Sequence, residues 1–191
     1  MVTYTGRYIN PRLLDPERDI DITDIGQGLS KTCRYAGQCQ GFYSVAQHSV
    51  HVYEQVREWA KQRVTIGAKD LDDLALCKIA LLHDAPEAYL GDLVRCVKVG
   101  LPDYDALEEK VWQAVCLKFG LQWGPLELPQ PVKEADYRMC VTERNCIIGE
   151  QDTQWDLEQK WPPYHMVVDP WPPEKAYEMF MRAFHSLYPG C

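Results

Sequence analysis

Apolar positions along the chain recur at helical spacing, and short polar breaks rich in Gly and Pro interrupt them. Residues 1–24 lack this spacing and carry Pro11, Pro16 and the acidic run DPERDIDITD. They predict an irregular N-terminal arm, with a short hairpin or strand near Thr3–Ile9. Asp24 is an expected N-cap for a helix from Ile25 to about Lys31, since a carboxylate there accepts from free backbone N–H groups. Residues 33–43, CRYAGQCQGFY, hold two glycines and predict a loop. Ser44 then caps a long helix to about Arg63, in which Val45, Val52, Val56 and Trp59 recur at helical spacing.

A loop around Gly67 leads to a helix over about Leu71–Ala85. Leu74, Leu76, Ile79, Ala80, Leu81 and Leu82 make it apolar on most sides, which predicts a central position. Pro86 lacks a backbone N–H and ends or kinks this helix. Residues 103–119 predict an amphipathic helix with Leu107, Val111, Ala114, Val115 and Leu117 toward the core, and residues 131–150 predict another. After the Pro- and Trp-rich segment WPPYHMVVDPWPP, a last helix over about Pro173–Leu187 carries Tyr177, Phe180, Phe184 and Leu187. It either seals the core or packs against another subunit. Strand signals are few, so the predicted fold class is all-α. The 191 residues suit one domain, 1–191, with a sizeable core.

The composition, 46% apolar and 25% charged, is that of a globular protein rather than a disordered chain. No stretch is long and apolar enough to span a bilayer. The first residues, MVTYTGRYIN, show no signal-peptide core. The eight cysteines form no CxxC pair, so reduced thiols in a cytoplasm are expected. A net charge of −8 argues against a general nucleic-acid surface, and leaves small anionic substrates if a local basic pocket receives them. P-loop and dinucleotide-binding glycine patterns are absent.

The candidate chemistry lies in ALLHDAPEAYLGDL, residues 80–93. His83 and Asp84 stand together at the end of the most apolar run. Glu87 follows one helical turn later, and Asp92 comes after Gly91. His48 lies near the apolar stripe of its helix, Asp136 sits near another such face, and Arg34 occupies the loop before the His48 helix. A buried carboxylate is costly unless it is paired or bound to a metal. Three such places on three helices point to one shared partner. Two imidazoles and two carboxylates suit Mn, Fe, Co or Zn. His51 is the rival to His48.

His48, the doublet His83–Asp84 and the distant Asp136 resemble the H…HD…D signature of the HD-domain metal-dependent phosphohydrolases. The closer resemblance is to compact bacterial 5'-deoxynucleotidases and phage dATP triphosphohydrolases. It is carried by SVAQHS at 44–49, HDAPEAYLGDL at 83–93, VK at 97–98, KEAD at 133–136 and RY at 34–35, with Tyr35 where the deoxynucleotidase pattern has Trp. It covers about residues 25–150 and implies a compact helical bundle. In that resemblance His48, His83, Asp84 and Asp136 hold one divalent transition metal (Zn, Co, Mn or Fe). Any second ion, Mg or Co, comes with the substrate phosphates. Glu87, or else Asp92, positions or deprotonates water. Arg34, Lys98 and Lys133 contact phosphate, and Tyr35 stacks on base or sugar. The implied substrate is a deoxynucleotide: a dNTP cleaved to nucleoside and triphosphate, or alternatively a dNMP. The rival from another class is a non-catalytic nucleotide-binding or assembly module. The expected setting is the cytoplasm (of a host, if phage-encoded), without membrane or stable nucleic-acid binding. The expected assembly is a homo-oligomer, a dimer or by analogy a hexamer.

Overall fold

The computed structural model describes residues 1–65, 72–122, 128–150 and 155–190, and among them helices and turns carry the chain without any strand. The fold class is all-α. The first residues form a small hairpin-like arm: Val2 bridges Tyr8 in antiparallel fashion, and Gly6 turns between them. The arm is less irregular than its sequence suggests, because α1 (Pro16–Asp19) forms one turn capped by Asp15. Helix α2 runs Ile22–Lys31, and its N-cap is Asp21, not Asp24. Asp24 instead accepts from the backbone and hydroxyl of Thr5 at 2.7 and 2.9 Å and pins the arm to α2. Arg7 adds an ion pair to Asp21 at 2.8 Å.

The expected loop at 33–43 contains a 3₁₀ turn, Arg34–Gly37, in which Tyr35 and Ala36 both adopt left-handed backbone angles. Helix α3, Val45–Thr65, is the centre of the molecule and packs against α2, α4, α8 and α10. The loop around Gly67 and the expected helix start at Leu71 lie outside the described residues. Helix α4 spans Asp73–Leu82 and is capped by Asp72. It is shorter than expected: His83–Pro86 form a turn, and a new short helix, α5 (Glu87–Leu90), begins after Pro86. Gly91, with φ of +82°, ends α5 in a conformation that side chains resist and so redirects the chain at Asp92.

Short α6 (Arg95–Lys98) precedes α7 (Pro102–Phe119) and α8 (Gln130–Ile147). A further short helix, α9 (Asp156–Lys160), precedes α10 (Pro173–Leu187). One apolar core extends from Ile9 to Leu187 and includes Leu81, Leu82, Val111, Val115, Met139, Phe180 and Phe184. Two expected core positions are wrong: Leu74 and Leu117 are exposed, at 53% and 70%. They lie on the outer faces of α4 and α7. The aromatics of α10 serve the core of their own chain, with Tyr177 left half-buried. Phe180 and Phe184 are fully buried, and α10 packs on α2, α3 and α4 of its own chain. No described helix is long and apolar enough to cross a membrane, and the described cysteines are all free.

Candidate metal centre and cleft

His48 is delivered by the buried face of α3, one turn after Ser44, and its side chain is fully enclosed. His83 and Asp84 sit in the turn that stops α4. The apolar helix carries them to the edge of the core, and the turn before Pro86 frees their side chains from helical register. Asp136 comes from the second turn of α8. The chain thereby gathers groups 88 residues apart: Asp136 Oδ1 lies 3.1 Å from His48 Nε2 and 3.9 Å from His83 Nε2. Asp84 Oδ2 lies 3.3 Å from His83 Nε2 and 3.7 Å from His48 Nε2.

One ligand atom each from His48, His83 and Asp84 falls within 4.8 Å of the others, a spacing at which a single metal ion can bind all three. The ring nitrogens fit that reading. His83 Nδ1 donates to the Ala80 carbonyl at 2.8 Å, which leaves Nε2 as the lone-pair nitrogen. That Nε2 is buried and has no hydrogen-bond partner. His48 Nδ1 is bonded to Glu143 at 2.6 Å, so its Nε2 faces Asp136 and Asp84. Burial and the Arg34 charge lower the His48 pKa, but Glu143 and Asp136 outweigh them and raise it to about 9. Burial would raise Asp136, yet bonding to His48 holds it at about 2. His51, the rival ligand, faces elsewhere: it stacks near Trp171 at 5.1 Å and approaches Glu54 at 3.7 Å.

Asp84 and Asp136 form the floor of a cleft of about 980 Å³ whose walls include Arg34, Tyr35, Glu87, Asp92 and Lys98. Apolar and aromatic side chains, Val94, Val99, Tyr137, Trp155 and Leu157, also line it. Arg34 contacts Asp84 Oδ2 at 3.5 Å. Lys98 is held by Glu108, a buried acid of α7. Lys133, three residues before Asp136, is half-buried and not part of the cleft wall. Glu87 Oε2 is buried without a hydrogen-bond partner. Burial, then the charges of Asp84 and Asp92, push Glu87 well above the ordinary carboxyl range. Burial also raises Asp92, with Asp84 adding to it.

Sequence reasoning missed Glu143. It lies on α8, is fully buried, and accepts from Tyr35 and Tyr43 at 2.8 Å each as well as from His48. Arg34 Nε completes its surroundings at 3.3 Å. Burial alone would raise Glu143, but His48 and Arg34 hold it at about 2. The signal was present in its spacing: seven residues after Asp136 places it on the same face of α8. Tyr35 spends its hydroxyl on Glu143 while its ring lines the cleft.

No family model matches the chain. It is 36% identical over 187 residues to the uncharacterized protein YfdR of Escherichia coli, covering 97% of this chain and 93% of that one. It is also 42% identical over 135 residues to an uncharacterized protein of Rhodobacter capsulatus, covering 69% of this chain and 62% of the relative.

Proposed function

The chain belongs to the family of YfdR, and we propose that it is a metal-dependent phosphohydrolase of the HD-domain type acting on deoxynucleotides. The observation that carries this reading is the convergence of His48, His83 and Asp84, with Asp136 against both rings, at the floor of a cleft. The cleft has the size of small-ligand sites, roughly 300–1,000 Å³. Its apolar and aromatic lining suits a ring system such as a nucleobase, and Arg34 beside a metal ion held by the clustered side chains would suit a phosphate.

His48, His83, Asp84 and Asp136 would hold a divalent transition metal. Bound there, such an ion polarises a phosphoryl oxygen and lowers the pKa of a water toward neutrality. The chain's own groups supply the rest. Arg34 lines the cleft and has five N–H donors, of which Nε faces Glu143 and one Nη1 donor faces Asp84. The others are available to a phosphate oxygen. Burial, and then the charges of Asp84 and Asp92, push the Glu87 carboxyl well above the ordinary carboxylate range and so favour its protonated form. It is the group that exchanges a proton with water or leaving oxygen at Oε2, and Asp92 is the alternative. Lys98 sits on the wall as a point charge, balanced by Glu108.

Between the two substrates, the charge of the cleft favours the monophosphate. Arg34, Arg95 and Lys98 face six carboxyl groups: Asp84, Glu87, Asp92, Asp105, Asp136 and Asp156. A triphosphate brings about four negative charges and a monophosphate about two, so the smaller anion meets less repulsion. This reverses the preference that the family resemblance suggests for a dNTP. The test is a turnover panel of dNMPs and dNTPs with Mn, Co, Zn or Mg. Orthophosphate from dNMPs supports the nucleotidase version, and tripolyphosphate from dNTPs supports the triphosphohydrolase version. A chain that binds metal and nucleotide without any turnover is instead the non-catalytic module.

A further inference from the structure

We propose that Glu143 is a positioning residue that couples the metal centre to the anion-binding side of the cleft. The inference rests on the metal-site reading above and adds a linkage between two binding events. The two carboxylate oxygens of Glu143 serve different partners. Oε1 accepts from His48 Nδ1 at 2.6 Å and Tyr43 at 2.8 Å. Oε2 accepts from Tyr35 at 2.8 Å and faces Arg34 Nε at 3.3 Å. One oxygen therefore fixes the tautomer and ring plane of a metal ligand. The other fixes the arginine and tyrosine that line the cleft.

The surroundings leave this carboxylate no freedom to serve one side alone. Glu143 is fully buried, as are Tyr43 and His48. Tyr35 reaches it from a turn in which Tyr35 and Ala36 hold φ of 56° and 50°. Such angles strain a non-glycine residue and persist only where surrounding contacts enforce them. The Glu143 bond is such a contact. Arg34 bridges the same two regions a second time, touching Glu143 with Nε and Asp84 with Nη1. Movement of Arg34 toward an anion changes the bonding at Glu143, and so changes how firmly Glu143 holds the Nδ1–H of His48. A metal on His48 Nε2 strengthens the Nδ1–H bond to Glu143 in return, since outer hydrogen bonds tune ligand basicity. Linkage requires the two effects to be equal: an anion that tightens the metal is itself tightened by it.

The experiment measures Zn²⁺ or Co²⁺ affinity of the full chain by competition with a chromophoric chelator, with and without inorganic phosphate. In the wild type, phosphate is expected to tighten the metal about 5-fold or more, within the usual range of coupling between sites. Glu143→Gln keeps the shape but offers one acceptor oxygen. It is expected to weaken the metal about 10–100-fold, as loss of such partners does, and to abolish the phosphate effect. Tyr43→Phe touches Oε1 only, and is expected to weaken the metal while the phosphate effect remains. Nitrogen NMR of the metal-loaded wild type should show His48 coordinated through Nε2 with the proton on Nδ1. Should Glu143→Gln not fold, the Tyr43→Phe and NMR results decide alone. Wild-type metal affinity in Glu143→Gln, a phosphate effect that survives it, an unchanged Tyr43→Phe, or coordination through Nδ1 overturns the coupling role and leaves the metal site standing. A wild type that binds no metal overturns the site itself.

Discussion

At the scale of single residues, the candidate site separates into groups with different expected losses. Glu87→Gln removes the exchangeable proton and preserves volume. It should retain metal in elemental analysis while turnover falls about 10²–10⁴-fold, the usual worth of a placed acid–base group. Near-normal turnover would shift the role to Asp92. His51→Ala should keep full metal content, because His51 packs against Trp171 and not against His83. His83→Ala should lose it. The cluster of His48, His83, Asp84 and Asp136 was legible in the sequence because each is a residue type that is costly to bury singly, placed beside apolar runs. The choice between His48 and His51 was not: both lie near the buried face of α3, and only the packing of α8 shows which one meets Asp136. Glu143 stayed hidden because TERN, the run around it, looks like an ordinary polar helix surface. Lys98 and Lys133 divide, since a lysine's long stem leaves its destination undetermined by position: Lys98 lines the cleft and Lys133 does not.

At the scale of elements, the placement of Glu87 depends on how closely α2 approaches α5. Gly28 makes the approach possible: a Cβ there would stand 2.8 Å from Ala88 Cβ and 2.9 Å from the Ala88 carbonyl oxygen. Backbone must therefore move. Alanine's better helix propensity offers at most about 1 kcal/mol, whereas forced overpacking costs roughly 1–3 kcal/mol. Gly28→Ala should lower stability in urea unfolding and should also reduce turnover, because α5 begins at Glu87. The arm makes a pH-dependent contact of its own. Burial would raise Asp21, but bonding to Arg7 outweighs it and lowers the pKa. That contribution is complete above the unfolded value of about 3.9 and is lost as pH falls through the lower folded value. Hydrogen exchange of the first nine residues should rise in that acid window, and Asp21→Asn should raise it at neutral pH. The long helices were legible from their periodicity. The four- and five-residue helices α1, α5, α6 and α9 were not, since one turn holds no repeat to detect.

At the scale of the whole molecule, α10 closes the core. Phe180→Ala should destabilise the protein by about 3–5 kcal/mol, as loss of a buried phenylalanine does, measured by chemical denaturation. The expectation of a homo-oligomer drew on the α10 aromatics and the Trp-rich segments before them; Phe180 and Phe184 are buried within the chain, while Tyr177, Trp161 and Trp171 are half-buried. Light scattering tests the assembly directly; exposed Val2, Tyr4, Tyr8 and Leu13 give the arm apolar surface open to a partner. The wide separation of the metal-site groups along the chain also matters during synthesis. His48, His83 and Asp84 leave the ribosome long before Asp136 and Glu143. Until α8 emerges, no nascent chain holds the complete set, and every prematurely ended product that stops short of α8 lacks it too. Under the proposed function, an activity that would erode a nucleotide pool if it ran unchecked would thus be withheld from fragments by the order of translation itself.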